Sequence, residues 1–410
     1  MKKNVFAITL ASALLLGCLS GCGGTDNSPA QETPQPTETA AAVATEAPGG
    51  ENLLPSAEGM NGTAETEDGE SVLTGSTDAP DFDLAFSRYA PDTPVMTVNG
   101  VTFDWNMYFD ALRQNVNMIY VNYGINDLTI DMGDGQNIGD LMRESAESRL
   151  RQFGLIYSMA EERGIRLDAE DEAEIDEDLN SRLSYYNNDK DLLLASLGVS
   201  EEYYRYEAGE SILYDKMLAD QFGEHGSLLP DEDTLAYVRD NDILYAEHIL
   251  FMTVDPVSRQ KLDEEGLAKA KQSAEDTLAE LRSASASELP ELFARLMRER
   301  SEDTGLYSKP EGYFFQEGEM VDSFYQAAKS LAEGEMSDIV ESEYGYHILY
   351  HPVLTPEVIY GKDTNGDPYT LREYVAIMLF NNMLNDAFAG LDISYHGDFE
   401  NLNVAELFAK

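Results

Sequence analysis

Two short segments, Tyr245-Ala246-Glu247-His248-Ile249-Leu250 and Tyr344-Gly345-Tyr346-His347-Ile348-Leu349, each set one histidine inside a run of strand-forming residues. The chain has only five histidines, so two in matching His-Ile-Leu contexts stand out as a pair. Side chains alternate between faces along a strand. If the two runs are neighbouring strands of one sheet, His248 and His347 meet across it, where each imidazole can orient the other and fix its tautomer. Between them, Ser301-Glu302-Asp303 supplies a carboxylate, and residues 312–324 supply aromatic and thioether side chains. No Walker loop, G-x-S-x-G elbow or H-E-x-x-H helix is present.

The motifs occur in the order A-x-H-I-L, S-x-D, G-x-x-F-x-x-G-E-M-V-x-x-F, G-E-x-S and Y-G-Y-H-I, over residues 243–354. That order and spacing resembles the parvulin family of peptidyl-prolyl cis/trans isomerases. The resemblance implies a catalytic set of His248, Asp303 and His347, with Asp303 at a position where parvulins carry Cys or Asp. It also implies a proline-ring slot built from Phe315, Met320 and Phe324, and a hydroxyl near the histidines from Ser342. Phe314 and Phe315 straddle the family's aromatic position, and Phe315 is preferred because it precedes Gly318 by three. No metal, nucleotide or redox cofactor is implied. One departure is visible: many parvulins have Gly-Gly-Asp-Leu-Gly before the aromatic, whereas this chain has Ser308-Lys309-Pro310-Glu311-Gly312. With no basic cluster beside the site, a phosphorylated substrate is not expected. His225, His351 and His396 match none of the motifs and are expected at the surface.

Placing these residues requires strands, helices and turns in a fixed order. The parvulin-like segment is expected as β-α-α-β-α-β-β, its first strand over 243–252. Its first helix carries Leu267, Ala270, Ala274, Leu278 and Leu281 on one face. The second is expected to start at a Ser287 N-cap with Pro290 in its first turn. The third presents Phe324, Ala327, Ala328 and Leu331. Upstream, Val95–Phe103 reads as a strand pair around the Asn99-Gly100 turn. Helices are expected from Trp105 and over 138–165, 168–187, 189–196 and 200–221. The pattern V-N-G-x-x-F followed by A-E-E-R-G-I is similar to the helical chaperone region of SurA- and PrsA-type foldases. Downstream, Thr370-Leu371-Arg372-Glu373 is a capping-box pattern leading a helix with Val375, Met378, Leu379 and Met383 as its apolar stripe. By the same resemblance, this C-terminal part packs back on the helical region. Asp363-Thr364-Asn365-Gly366-Asp367 begins like a calcium loop, but Pro368 and Tyr374 occupy the required glycine and glutamate positions, so it reads as a turn.

The start of the chain is different in kind. Lys2 and Lys3, the apolar run Val5–Leu16 and Leu19-Ser20-Gly21-Cys22 read as a secretory signal peptide closed by a lipobox-like site. Cys22 is the expected lipidated residue, with Leu15-Leu16-Gly17-Cys18 as the alternative. These are the only two cysteines, so cleavage at Cys22 would leave no thiol for catalysis, cysteine–zinc binding or a disulfide. From Gly23 to Ser87 there is no Lys or Arg, and the composition cannot offset its ordering entropy; it reads as an acidic, disordered tether. The formal charge of −50 disfavours nucleic-acid partners, whose phosphates need cations.

Together these readings give an α+β chain: signal peptide 1–21, tether 22–88, helical chaperone domain 89–240, parvulin-like (FKBP-like) domain 241–354, and a C-terminal helical segment 355–410 joining the chaperone domain. The function they imply is a lipid-anchored extracytoplasmic foldase acting on X-Pro bonds of unfolded or newly secreted polypeptides. The alternative is a non-catalytic chaperone or binding lipoprotein with a degenerate parvulin scaffold, favoured by the altered 308–312 loop. Two large α/β lobes of a solute-binding lipoprotein are contradicted by the helical 105–221 region.

Overall fold

The computed structural model describes residues 79–133 and 135–409. The signal peptide, Cys22 and most of the tether therefore lie outside the described residues. In chain order come α1 (Phe82–Phe86), β1 (Pro94–Val98), β2 (Val101–Asp104), α2 (Trp105–Tyr123), α3 (Ile138–Glu162), α4 (Ala169–Leu183), α5 (Lys190–Leu197) and α6 (Glu201–Phe222). Next are α7 (Asp231–Asp240), β3 (Leu244–Met252), α8 (Glu264–Arg282), α9 (Leu289–Arg300), β4 (Tyr313–Phe315), α10 (Asp322–Ser330), β5 (Val340–Glu341) and β6 (Gly345–Tyr350). The chain ends with β7 (Ile359–Lys362), β8 (Pro368–Thr370), α11 (Leu371–Phe388), β9 (Ile393–Tyr395) and α12 (Val404–Leu407). The architecture is α+β.

The chain forms two compact units, and the divisions fall inside α6, at 216/217, and inside α11, at 382/383. The boundaries read from the sequence, 240/241 and 354/355, differ from these. The physical reason is local burial. Leu229 and Val238 beside and within α7 pack with Leu371, Val375 and Ala376 of α11, and Phe314 of β4 and Tyr360 of β7 rest against the same cluster. Helix α7 has no counterpart in the sequence reading.

The helical unit grows from local rules. Asn99 and Gly100 both have positive φ (47° and 85°), as a tight hairpin with the strands' own twist demands. The Asp104 carboxylate caps α2 by accepting from Met107 N at 3.1 Å, and Gly124 ends that helix at φ 68°. Asn137 with Asp140 and Asp168 with Asp171 form capping boxes that start α3 and α4. The core gathers Trp105, Tyr108, Leu112, Leu150, Phe153 and Tyr203, all fully buried. The chain's end returns to this unit: β9 pairs antiparallel with β1 in the order β2-β1-β9, and α12 contributes Val404, Ala405 and Leu407 to the core. Buried Glu147 collects Arg143 (3.2 Å), Arg151 (3.1 Å) and the Tyr395 hydroxyl (2.6 Å), fastening β9 to α3.

In the second unit four strands form an antiparallel sheet in the order β4-β3-β6-β5. Helices α8 and α9 cover one face, burying Ala274, Leu281, Phe293 and Leu296 on Ile249, Phe251, Ile348 and Tyr350. Helix α10 covers the other, with Phe324, Tyr325 and Ala328 against Ala246, Phe315 and Leu349. Helix α9 is not capped by Ser287: its N-cap is Glu288, whose carboxylate folds back to accept from Ser285 N (3.1 Å) and the Ser285 hydroxyl (2.6 Å). The capping box of α11 is formed as read, Glu373 accepting from Thr370 N at 2.6 Å and Glu373 N donating to the Thr370 hydroxyl at 3.2 Å. Its buried face runs through Leu371, Val375, Ala376 and Phe380, whereas Met378, Leu379 and Met383 are only partly covered. The Asp363–Asp367 stretch is the turn between β7 and β8, its first carboxylate accepting from Asn365 N and Asp367 N.

Candidate active site

The register of β3 against β6 decides the centre of the site. His248 lies opposite Leu349 and His347 opposite Leu250, so both imidazoles project from the face that α10 covers. Their Nδ1 atoms are 3.3 Å apart and their rings nearly parallel, with centroids at 5.4 Å. Both are almost completely buried.

Asp303 arrives through the Ser-Glu-Asp segment, which runs beside β3 past the end of β4. The Ser301 hydroxyl accepts from Leu250 N at 3.1 Å, Glu302 N donates to Leu250 O at 2.8 Å, and the Glu302 carboxylate accepts from Met252 N at 2.6 Å. These three bonds satisfy strand groups that β4 is too short to reach, and they set Asp303 next to His248. The carboxylate takes three donors: His248 Nε2 at 2.8 Å and the Tyr313 hydroxyl at 2.6 Å on Oδ2, and Gly305 N at 2.9 Å on Oδ1. At the other end of the chain of contacts, His347 Nε2 and the Ser342 hydroxyl are 2.7 Å apart, and Ser342 Oγ accepts from Tyr344 N at 3.1 Å.

Phe324 stands edge-on to both imidazoles, 5.1 Å from His248 and 5.5 Å from His347, and edge-on to Phe315 at 5.5 Å. Phe315 is buried beneath it and Met320 is partly exposed at the same cluster. Phe314 points the opposite way, stacked on Tyr245 at 4.4 Å. Every described residue singled out from the sequence, His248, Asp303, Phe315, Met320, Phe324, Ser342 and His347, falls in this one place. Tyr313 was not among them. A period-two reading of β4 from Phe315 puts Tyr313 on the same face, and that signal is available in the sequence. The remaining histidines lie elsewhere: His225 contacts Glu373, His351 bonds to Leu331 O at 3.1 Å, and His396 to the Thr97 hydroxyl at 2.8 Å.

The electrostatics follow from this packing. Burial, reinforced by the neighbouring His248, depresses the basicity of His347 to about 3 against the opposing pull of Asp303, so its imidazole is neutral. Burial alone would raise the Asp303 carboxyl. The His248 hydrogen bond and charge, with the Tyr313 and Gly305 donors, outweigh it and hold the group at about 2. The carboxylate is therefore charged at ordinary pH although it is mostly buried. Being an acceptor only, it fixes the proton of His248 on Nε2. With a neutral His248, Nδ1 accepts from His347 Nδ1–H and His347 Nε2 accepts from Ser342; with a doubly protonated His248, the bonds beyond it reverse. Two arrangements of one chain of hydrogen bonds are thus available without moving a heavy atom.

The sheet order, the histidine–carboxylate chain and the aromatic floor define an isomerase-type domain. Residues 248–352 match the Rotamase family, a PPIC-type PPIase domain, and the chain carries a parvulin-type domain in that sense. Among curated proteins it is similar to foldase protein PrsA of Staphylococcus aureus (strain bovine RF122 / ET3-1), 31% identical over 166 residues, which are 39% of this chain and 47% of that one. The chain thus spans about half the length of the curated relatives it matches. Among solved structures it resembles PrsA from Bacillus subtilis (21% identity, TM-score 0.25, covering 65% of this chain and 90% of that one). Another is peptidylprolyl isomerase (PrsA) from Bacillus anthracis (17%, TM-score 0.25, covering 60% and 95%).

Proposed function

We propose that the protein is an extracytoplasmic foldase, lipid-anchored through Cys22, that catalyses cis/trans isomerisation of X-Pro bonds in secreted polypeptides and cradles them with its helical unit. The observation that carries this reading is the unbroken sequence of polar contacts from Asp303 through His248 and His347 to Ser342, lying against the Phe324 floor.

The reaction makes and breaks no covalent bond. Its barrier of ~18–20 kcal/mol is the resonance lost when the amide C–N bond twists. A catalyst lowers it by holding the proline ring, excluding water and favouring the twisted amide over the planar one. Met320, Phe324 and Phe315 supply the apolar slot. The charge of Asp303 disfavours the planar, charge-separated amide whose oxygen carries partial negative charge. His248, His347 and Ser342 hold the surrounding hydrogen bonds in register. The test is a protease-coupled assay on proline tetrapeptides: wild type accelerates exchange, and Asp303→Ala loses most of that activity at temperatures where its melting curve shows it folded. An Asp303→Ala protein as active as wild type would remove the site assignment.

The Ser308–Gly312 loop supports a second reading, a client-binding scaffold without turnover. There Lys309 lies 5.6 Å from the Tyr313 ring centroid, and Glu311 O is engaged by the Tyr245 hydroxyl. Suppression of client aggregation by a wild type inert toward proline tetrapeptides would favour it. For anchoring, metabolic labelling with palmitate should depend on Cys22; labelling lost in Cys18→Ala and retained in Cys22→Ala would move the anchor to Cys18.

A further inference from the structure

Tyr313 belongs to none of the motifs, yet its hydroxyl occupies the same carboxylate oxygen as His248, 2.6 Å from Asp303 Oδ2. The ring lies edge-on to His248 at 5.5 Å. The space for this hydroxyl is made by a missing side chain: a Cβ on Gly305 would collide with Tyr313 Oη and sit 3.3 Å from Asp303 Oδ1. Gly305 has no positive φ, so backbone conformation does not require glycine there. What requires it is room for Tyr313, together with its own N–H bond to Asp303 Oδ1 at 2.9 Å.

We infer that Tyr313 is a positioning residue of the active site, whose hydroxyl, admitted by Gly305, holds the Asp303 carboxylate charged and aimed at His248. The inference deepens the isomerase reading and rests on it for its kinetic consequence. Without the hydroxyl, Asp303 Oδ2 has one strong donor instead of two, and the carboxylate can rotate about its Cβ–Cγ bond. His248 then loses the fixed acceptor that keeps its proton on Nε2, and the tautomer of His347 and the orientation of the Ser342 hydroxyl are no longer set from that end.

The groups facing Asp303 are His248 from β3, His347 from β6, Tyr313 from β4 and Gly305 N–H from its own turn, with Lys309 across the Tyr313 ring and Glu302 next in the chain. Of these, Tyr313 is the one whose donor can be deleted while its ring stays. The same contact, with burial as the larger cause, raises the phenol of Tyr313, which therefore donates at all ordinary pH.

The test uses the full chain. Asp303 is followed by carboxyl-carbon NMR with labelled aspartate, located with Asp303→Asn, and His248 by ring-nitrogen shifts; isomerase kinetics are recorded against pH. Tyr313→Phe should raise the Asp303 midpoint by about one pH unit, because a hydrogen bond to the charged form is lost. It should lower kcat/KM about tenfold and carry the acid limb of the pH profile upward with the midpoint. Gly305→Ala should reproduce both effects. The double variant Gly305→Ala/Tyr313→Phe should be much closer to Tyr313→Phe than the sum of the two single effects, since the severe part of the clash falls on the deleted oxygen. An unmoved Asp303 midpoint in Tyr313→Phe overturns the inference. So does a moved midpoint with wild-type kcat/KM and unchanged His248 shifts. If the wild type proves inactive, the isomerase reading falls by itself, while the Asp303 and His248 spectra still decide whether Tyr313 holds the carboxylate.

Discussion

Acid reaches this site through two groups in turn. His347 is held neutral in the fold, with its basicity lowered from the ordinary 6.5 to about 3 by burial and by His248. The unfolded chain therefore takes up that proton first, and stability falls as pH drops from 6.5 toward 3. Asp303 is lowered from 3.8 to about 2 despite its burial, so its contribution is present above 3.8 and is lost as pH falls through 2. Glu210 and Glu247, which burial raises to about 7, act with the opposite sign over part of this range, so the His347 contribution is read by difference. In urea unfolding at a series of pH values, the stability of wild type relative to His347→Gln should fall between pH 6.5 and 3.8. A slope there unchanged by His347→Gln would mean another group is responsible. Phe324 tests packing at the same scale. It touches both imidazoles and Phe315 and is 3% exposed, so Phe324→Ala should cost about 3–5 kcal/mol and lower isomerase activity as well. Denaturant unfolding separates the two effects, because kinetics can be measured where the variant is still folded.

Among elements, β3 decides most. It pairs with β6 along six residues, with β4 along three, and with the Ser301–Glu302 backbone where β4 stops. Its two faces serve different ends, Ala246 and His248 toward α10 and the site, Ile249 and Phe251 toward α8 and α9. The entry to β4 is the narrow point of this arrangement. Gly312 has φ 99°, and a Cβ there would lie 2.7 Å from Ala246 O on β3. The close approach of the two backbones is why a glycine is needed at this point of the Ser308–Gly312 loop. Gly312→Ala should destabilise the unit by about 1–3 kcal/mol through strain and push β4 off β3. Since β4 carries both Tyr313 and Phe315, activity should fall more than in Lys309→Ala, which trims a partly buried side chain on the same loop. Equal activities in the two variants would argue against that coupling.

At the scale of the whole molecule, the formal charge of −50 makes copies of the chain repel one another electrostatically. Among the described residues no helix is long and apolar enough to cross a membrane. The packing around α7 and α11 yields a direct test of where the isomerase-type unit ends. Residues 217–382 expressed alone should unfold cooperatively and retain isomerase activity. The shorter piece 241–354 lacks α7 and α11, leaving Phe314 without the cluster it rests on. It should be less stable by roughly 2–4 kcal/mol, the worth of one or two large apolar side chains. Equal stability of the two fragments by thermal melting would show that α7 and α11 are dispensable. In the helical unit, Tyr395→Ala removes the hydroxyl nearest Glu147. It should speed hydrogen exchange in β9 and α12 over the rest of the unit, because the returning segment is held by a three-residue strand and that polar tie.

Local rules in the sequence determined the elements and much of the site. The Asn99-Gly100 hairpin, the helices from Trp105 to Phe222, the capping box at Thr370 and the β-α-α-β-α-β-β order all follow from turn chemistry, caps and periodicity. The matched His-Ile-Leu contexts announced His248 and His347 because strand alternation has a fixed period, and motif order brought Asp303, Phe315, Met320, Phe324 and Ser342 to the same place. Where the sequence reading differed, a competing local contact or long-range burial decided. Ser287 gave way as a cap to Glu288, whose carboxylate closes the turn on Ser285. The buried face of α11 takes in Leu371 and Ala376 because its partners, Leu229, Val238 and Tyr360, come from other segments of the chain. Tyr313 was legible in the period of β4 but had no meaning until the register of β3 and β4, and the bare Cα of Gly305, put its hydroxyl on Asp303. A contact between side chains ten residues apart in a loop and a strand depends on tertiary geometry alone, and no local preference encodes it.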